Sequence, residues 1–263
     1  MVDQEAQPLD TLLVASGIGK TFGEEDGRPV EVIRSISFSL RRGEIVGIVG
    51  PSGCGKTTLL NLLCGLLPLS RGQVLWDGAG PGSAPPRMGY MLQKDLLLPW
   101  RTAIQNVALG LQINHVARGE RLELARALLD RLGLGAFMDY YPSALSGGMR
   151  QRVALARTLA PQPEVLLFDE PFSALDFQTK VLIQRDTARL VREEGRSLLL
   201  ITHDVEEAVG LSDRVIVLSR PPCVVVAEHP IVLSGDRTDM VAAREKPEFG
   251  RYVRAIWTEL DVS

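Results

Sequence analysis

Several features are scarce in this chain, and each scarcity removes a class of function. Cysteine occurs three times, at Cys54, Cys64 and Cys223, widely separated and without C-x-x-C spacing. A disulfide framework and a thiolate zinc site are therefore not expected, and a reducing compartment is the default. There is no basic surplus either: 29 Lys and Arg against 32 Asp and Glu leave a net charge of −3. Without a dense basic stripe, nucleic acid is not expected as the main partner. No apolar run approaches the ~20 residues that a bilayer span requires. The opening segment, Met1 to Asp10, is acidic and polar, unlike a secretory or transit leader. Internal repeats and long low-complexity tracts are also missing. What remains is an ordinary globular composition, 45% hydrophobic over 263 residues, with ample material for a core.

Against that background one stretch stands out. Gly50-Pro51-Ser52-Gly53-Cys54-Gly55-Lys56-Thr57 matches the phosphate-binding loop G-x-x-x-x-G-K-[ST] without a mismatch. Its surroundings agree. Ile45 to Val49 is a short apolar run that reads as a buried strand, and Thr57 to Cys64 reads as a helix closed by Gly65, with Pro68 beyond. Glycines let backbone N–H groups converge on a polyphosphate, and the helix start adds its positive dipole end. The expected binding set is Gly50, Pro51, Ser52, Gly53, Cys54, Gly55, Lys56, Thr57 and Thr58. Within it Lys56 reaches the β- and γ-phosphates and the Thr57 hydroxyl holds Mg²⁺. Cys54, beside a helix start that lowers thiol pKa values, is expected to react with alkylating agents, more slowly when nucleotide is bound.

Taken in order, the chain predicts a strand over Leu12–Lys20, a turn at Thr21-Phe22-Gly23, an acidic loop over 24–29 and an alternating strand over Val30–Leu40. These two strands suggest a small antiparallel layer on the main sheet. Phe22 has two readings, stacking on an adenine ring or covering the β layer. Short strands follow at Gln73–Trp76 and Met88–Leu92, separated by a Pro/Gly-rich loop over 77–86 and ending at Gln93. Thr102-x-x-Gln105 is a capping box opening a helix through Leu111, and Glu120–Leu132 is a second helix, stopped at Gly133. The stretch 95–160 thus reads as a helical insert in an α/β chain. Leu96-Leu97-Leu98-Pro99-Trp100 within it reads either as a partner-facing surface or as core under the insert.

Ser146 caps a helix running to Leu159, and Gly147 and Gly148 at its start expose backbone N–H groups; taken alone this reads first as an ordinary capped helix with a flexible entry, and otherwise as a second anion-binding helix start. Val165 to Phe168 is a buried strand ending in Asp169-Glu170-Pro171. Acidic residues there suit a P-loop protein: Asp169 holds Mg²⁺ through its water shell and Glu170 orients or deprotonates the attacking water. Further on come a helix over 178–194, a strand over Ser197–Thr202 ending at His203, a capping box at Asp204-x-x-Glu207, a strand over Asp213–Leu218, a short strand over Val224–Val226 and a helix over Pro247–Leu260. His203 lies at the carboxyl end of an apolar strand, where open α/β sheets place ligand groups.

With these motifs in this order, the chain resembles the ATP-binding subunit of an ABC transporter from about Leu12 to the last helix. The resemblance rests on the P-loop, Gln93, the stretch Leu145-Ser146-Gly147-Gly148-Met149-Arg150-Gln151-Arg152, the Val165–Glu170 strand, Ser173–Asp176 and His203. It implies a P-loop NTPase (RecA-like) α/β core with an antiparallel β layer and an inserted helical subdomain. The domain division expected is a tail over 1–10, an ATPase domain over 11–220 and a C-terminal extension over 221–263. It also implies an ATPase using ATP and Mg²⁺, as two copies head to tail, with Gln93 sensing Mg²⁺ and the γ-phosphate. Ser146, Gly147 and Gly148 then bind a nucleotide held by the other copy, Asp176 links the two sites, Glu170 is the catalytic carboxylate and His203 the switch histidine. Family members often carry tyrosine where Phe22 stands. The segment 97–102, Tyr141-Pro142 and Arg220-Pro221-Pro222 further resemble the nitrate, sulfonate and taurine importer group. That implies a membrane permease and a periplasmic binding protein as partners, with this chain itself peripheral on the cytoplasmic face of the membrane. An exporter or lipid-extraction system would use the same cassette, whereas the soluble ABC proteins of repair or translation need a coiled-coil insert or two cassettes.

Overall fold

The computed structural model describes residues 10–25, 28–79, 86–173, 175–235 and 240–262. Residues 1–9 of the expected N-terminal tail and most of the 77–86 loop lie outside these. Three strands are buried at every position: β3 (Ile45–Val49), β6 (Val165–Asp169) and β7 (Ser197–Thr202). Continuous apolar runs without alternation belong in a parallel sheet covered on both faces. With β5 (Met88–Met91) and β8 (Arg214–Leu218) they form one, in the order β5-β6-β7-β3-β8. Successive residues of β6 enter opposite cores: Val165 and Leu167 face one, Leu166 and Phe168 the other.

The first of these cores holds α1 (Lys56–Leu63). Its Leu59, Leu60, Leu62 and Leu63 are buried between the parallel strands and a set of antiparallel strands: β1 (Thr11–Glu25), β2 (Arg28–Arg41) and β4 (Arg71–Trp76). Each such leucine contributes about 2 kcal/mol on burial, so the helix that follows the P-loop is clamped from both sides. The Trp76 indole N–H closes the clamp by donating to the Leu63 carbonyl at 3.1 Å. The antiparallel strands are not detached from the main sheet. Strand β9 (Cys223–Pro230) pairs antiparallel with β8 and parallel with β2, so among the described residues nine strands form one sheet.

The opposite face carries α2 (Ala103–Val107), α3 (Leu109–Ile113), α4 (Arg118–Arg131), α5 (Gly147–Leu159) and α6 (Phe177–Glu193). A third core, under β3 and β8, packs α7 (Val205–Leu211) and α9 (Pro247–Val262), with α8 (Met240–Arg244) alongside.

Five local expectations are corrected. Thr21-Phe22-Gly23 is not a turn: β1 continues through it because Phe22 pairs with Val30 and Glu24 with Pro29, and bulges absorb the irregularity. The expected 24–29 loop shrinks accordingly, with residues 26–27 outside the description. The helix from Thr102 is two short helices joined at Ala108, although the capping box at its start is present. The short strand at Val224–Val226 extends to Cys223–Pro230, because it finds partners on both sides. Finally, Asp204 caps α7 by accepting from the Glu207 N–H at 3.1 Å, but Glu207 does not reach back to complete a box.

Instead the Glu207 side chain, 2% exposed, turns inward to Lys180 Nζ at 2.9 Å and accepts from the Gln184 amide at 3.1 Å. The same ammonium reaches Asp204 at 2.6 Å. Burial pushes the Glu207 carboxyl up, and Lys180 opposes that shift. One cation thus joins α6 to the start of α7 and keeps a buried carboxylate paired. Lys180→Met should cost about 3–5 kcal/mol of stability, read from urea unfolding, and Lys180→Arg should retain most of it. A loss below about 1 kcal/mol for the methionine variant would match an exposed pair and reject this reading.

Candidate functional site

The four strands β5, β6, β7 and β3 end side by side, and each delivers functional residues at its carboxyl end, where open α/β sheets bind ligands. From β3 comes the P-loop. Gly53 and Gly55 take left-handed backbone conformations, with φ +77 and +108. A Cβ on Gly53 would meet nothing within 4 Å, whereas one on Gly55 would lie 2.9 Å from the Val32 side chain of β2. The loop is therefore open on one side and pressed against β2 on the other. That is a concavity of backbone N–H groups leading into the start of α1. Lys56 is buried within it and donates to the Gly50 and Pro51 carbonyls at 2.9 and 3.0 Å. Ser52 and Thr57 are exposed and Thr58 is half-buried.

From β6 comes Asp169, which accepts from the Thr57 hydroxyl at 2.7 Å. Burial pushes its carboxyl up, and the Thr57 hydrogen bond works against that. A hydroxyl and a buried carboxylate at this separation, beside a polyphosphate cradle, suit a hard divalent cation such as Mg²⁺, which takes oxygen ligands and retains waters. Glu170 follows in the left-handed region, φ +48, an arrangement that costs a non-glycine residue about 1 kcal/mol or more. Its backbone is held in place: the N–H donates to Ile201 O at 2.9 Å, and the carbonyl accepts from the Ser173 N–H and hydroxyl at 3.3 and 3.0 Å. The strained residue aims its carboxylate at His203, at the end of β7, with Oε2 3.0 Å from Nδ1. Gln93, after β5, donates to the Ser173 hydroxyl at 3.2 Å. Gln93, Ser173, Glu170 and His203 therefore form one hydrogen-bonded chain beside Thr57 and Asp169. Such a chain can orient a water and hold its proton.

The other expected residues lie apart from this cluster. Ser146 caps α5 by accepting from the Met149 N–H at 3.3 Å. A Cβ on Gly148 would stand 2.4 Å from Thr179 of α6. Asp176 caps α6 through the Thr179 N–H at 3.0 Å, and that bond holds its exposed carboxyl low. The contacts of Ser146, Gly147 and Gly148 among the described residues are thus with α5 itself and with the start of α6, not with the P-loop. Gln151 of α5 reaches the Pro171 carbonyl, and Arg157 donates to the Leu96 and Asp95 carbonyls at 2.7 and 2.6 Å. Arg150 pairs with Asp95 at 2.9 Å. So α5 is fastened to the segments that follow Gln93 and Glu170.

Phe22 is exposed, with the Lys20 ammonium 5.1 Å from its ring centre. It pairs with Val30, two residues before the Val32 side chain that packs on Gly55. The apolar stretch after Gln93 divides: Leu97 is buried in the helical core, whereas Leu96 and Trp100 are 53% and 70% exposed. Trp100 borders a groove of about 660 Å³ that Arg101, Arg118, Arg121 and Arg126 make cationic.

Cys54 departs from its expectation. It is fully buried under the loop, in the same core as α1, so it is not a freely accessible thiol. Contact with the Cys223 thiol lowers its pKa despite burial, with Lys56 helping, and the same contact pushes Cys223 up. Sequence reasoning missed Cys223, Val32 and Lys180, whose relevance depends on long-range neighbours that no local pattern signals.

Comparison with known proteins agrees with this geometry. The ABC transporter family model matches residues 33–173. YtlC of Bacillus subtilis strain 168, an uncharacterized ABC transporter ATP-binding protein, is 43% identical over 87% of this chain and 88% of its own length. The taurine import ATP-binding protein TauB of Pseudomonas aeruginosa PAO1 is 40% identical over 95% and 97%. The ATP-binding cassette MJ0796, solved as a dimer in a post-hydrolysis state with ADP and Pi, superposes with a TM-score of 0.74 at 30% identity, covering 84% of this chain and 99% of its own. With a phosphate cradle, a Thr–Asp pair and a Glu–His pair at one end of a parallel sheet, this chain belongs to the ABC transporter family, as an ATP-binding cassette and ATPase.

Proposed function

We propose that this cassette energises uptake of a small solute, an anion such as nitrate, a sulfonate or taurine, through a membrane permease served by a binding protein. The import direction is supported by relatives named as taurine import ATP-binding proteins, at 40–42% identity. The observation that carries the mechanism is the separation of the two anion-binding helix starts. The P-loop belongs to the Asp169–Glu170–His203 cluster, while Ser146–Gly148 belongs to the surface shared by α5 and α6. In this reading two copies, arranged head to tail, complete each other's sites. Each nucleotide lies between the P-loop of one copy and Ser146, Gly147 and Gly148 of the other, with Asp176 at the junction. The residues fall within an ATPase domain over 11–220, with its helical insert over 95–160 and an extension over 221–263. None of the described helices is long and apolar enough to cross a membrane, so the permease supplies the pathway and the cassette attaches to it from the cytoplasmic side.

Thr57, Asp169 and Gln93 would hold Mg²⁺, which supplies charge neutralisation at the β- and γ-phosphates. Lys56 exchanges its two loop carbonyls for phosphate oxygens. Glu170 takes a proton from the attacking water, and His203, already on the Glu170 carboxylate, keeps that group oriented and contacts the γ-phosphate. Phe22 offers its exposed ring to the adenine. Gln93 is the route to the permease. One end bonds Ser173 beside Glu170, and the chain that follows it passes Asp95 and Leu96, tied to α5, to Trp100 at the arginine-lined groove. That groove is the docking surface.

Lys56→Ala should weaken ATP binding by at least about tenfold, one 1.4 kcal/mol step, because the cation on the β/γ-phosphates is lost; unchanged affinity in equilibrium dialysis would reject the P-loop assignment. In Glu170→Gln, single-turnover hydrolysis should fall by about 10² or more while ATP still binds and the dimer accumulates on gel filtration. Turnover near wild type would mean that another base acts. Trp100→Ala should leave basal hydrolysis intact and reduce permease-stimulated turnover. If assembly and stimulation are both unaffected, the groove does not dock the permease.

A further inference from the structure

Cys54 and Cys223 are far apart in sequence, yet the fold brings them together beneath the P-loop. The Cys54 sulfur lies 3.0 Å from where a Cβ on Gly50 would stand, and the Leu218 Cβ lies at the same distance from that point. The thiol therefore points under the loop toward the end of β8. Past Leu218 the chain reverses and re-enters the sheet as β9 at Cys223. The reversal is held by Ser219 N–H to Val224 O at 3.0 Å and Val224 N–H to Ser219 Oγ at 3.0 Å. In the sheet Cys223 is the partner of Ile33 in β2. Ile33 and Val32 are in turn the residues against which Gly55 packs, at 3.5 and 2.9 Å from a Cβ placed there. Cys54 is thus bracketed by the strand that leaves its core and the strand that enters it. Both cysteines are completely buried in one apolar cluster, and the neighbouring Cys223 thiol lowers the pKa of Cys54. The nucleotide chemistry uses neither sulfur.

We propose that Cys54 and Cys223 form a reversible disulfide, a redox modification site that ties the P-loop to β9 and closes it to nucleotide. The oxidant class is a hydroperoxide. One sulfur takes an oxygen from hydrogen peroxide to become a sulfenic acid, releasing one water; the other sulfur attacks it, forms the S–S bond and expels a second water. Two thiols and one peroxide thus give one disulfide and two waters. A dithiol reverses the step by exchange, ending as the cyclic disulfide itself. The tether acts on the loop whose carbonyls already hold Lys56, so the oxidised loop retains the form in which that ammonium bonds Gly50 and Pro51. Cys64 is the internal control. It lies on the far end of α1 beside the Asn61 carbonyl at 3.7 Å, half-buried.

The test treats the full chain with hydrogen peroxide, blocks remaining thiols and maps peptides by mass spectrometry without reduction. The expected product is a Cys54–Cys223 linked peptide lacking two hydrogens, lost on dithiothreitol treatment. In parallel, affinity for a fluorescent ATP analogue should fall at least about tenfold and recover with dithiothreitol, while Cys223→Ser keeps its affinity through the same treatment. Over-oxidised Cys54 without a link, a link through Cys64, or equal inactivation of Cys223→Ser would each overturn the proposal. The effect on affinity rests on the P-loop holding nucleotide, but the linkage map does not. A link formed without loss of affinity would therefore reject the closure and leave the nucleotide assignment to the Lys56 variant.

Discussion

The hydrogen bond from the Thr57 hydroxyl to the Asp169 carboxylate is the junction on which the site depends. It joins the first turn of α1 to the end of β6. Because β7 lies between β6 and β3 in the sheet, it spans one intervening strand. A short hydroxyl can bridge that distance only if α1 is held close over the strand ends. The clamp on α1 provides this, with the antiparallel strands on one side and the parallel strands on the other. The placement of these two oxygens therefore depends on core packing some distance from them.

From that junction the chemistry spreads along the strand ends. Glu170 accepts an unfavourable backbone conformation so that its carboxylate turns toward His203 rather than continuing the strand. Its cost is offset by three hydrogen bonds to its backbone and by the wall of buried residues beneath. Strain of this kind persists where the surroundings over-determine a residue, and here the surroundings include Ser173, which also receives Gln93. The same serine thus ties the candidate base to the segment running toward the arginine-lined groove. A change at the γ-phosphate and a change at the groove would then meet at one hydroxyl. Lys180 extends the arrangement on the other side, coupling the helix capped by Asp176 to the residue after His203.

Local pattern was informative where a run of residues carries its own physics. The P-loop, the buried strands, the Thr102–Gln105 capping box and the Ser146 cap are all short, and each is defined by backbone needs that the adjacent side chains meet. It was misleading where a partner far along the chain decided the outcome. Thr21-Phe22-Gly23 looks like a turn until β2 pairs with it. Glu207 looks like a capping-box residue until Lys180 offers a buried cation. Val224–Val226 looks short until β8 and β2 both extend it. Cys54 looks like an exposed loop thiol until β9 closes over it.

The sequence by itself determined the kind of chemistry: a loop whose glycines and lysine suit phosphate, a strand ending in two carboxylates, and a histidine at another strand end. Those residue types carry the same charge and hydrogen-bonding capacity in any arrangement. Only the tertiary structure decided which of them act together. Strand order, absent from any local pattern, sets Asp169 on Thr57 and Glu170 on His203. The docking of α5 on α6 sets Gly148 against Thr179 of α6. The return of β9 beside β2 brings Cys223 to Cys54. Each of these pairings is a long-range contact whose free energy is gained only once the intervening chain has folded, and no window of neighbouring residues records it.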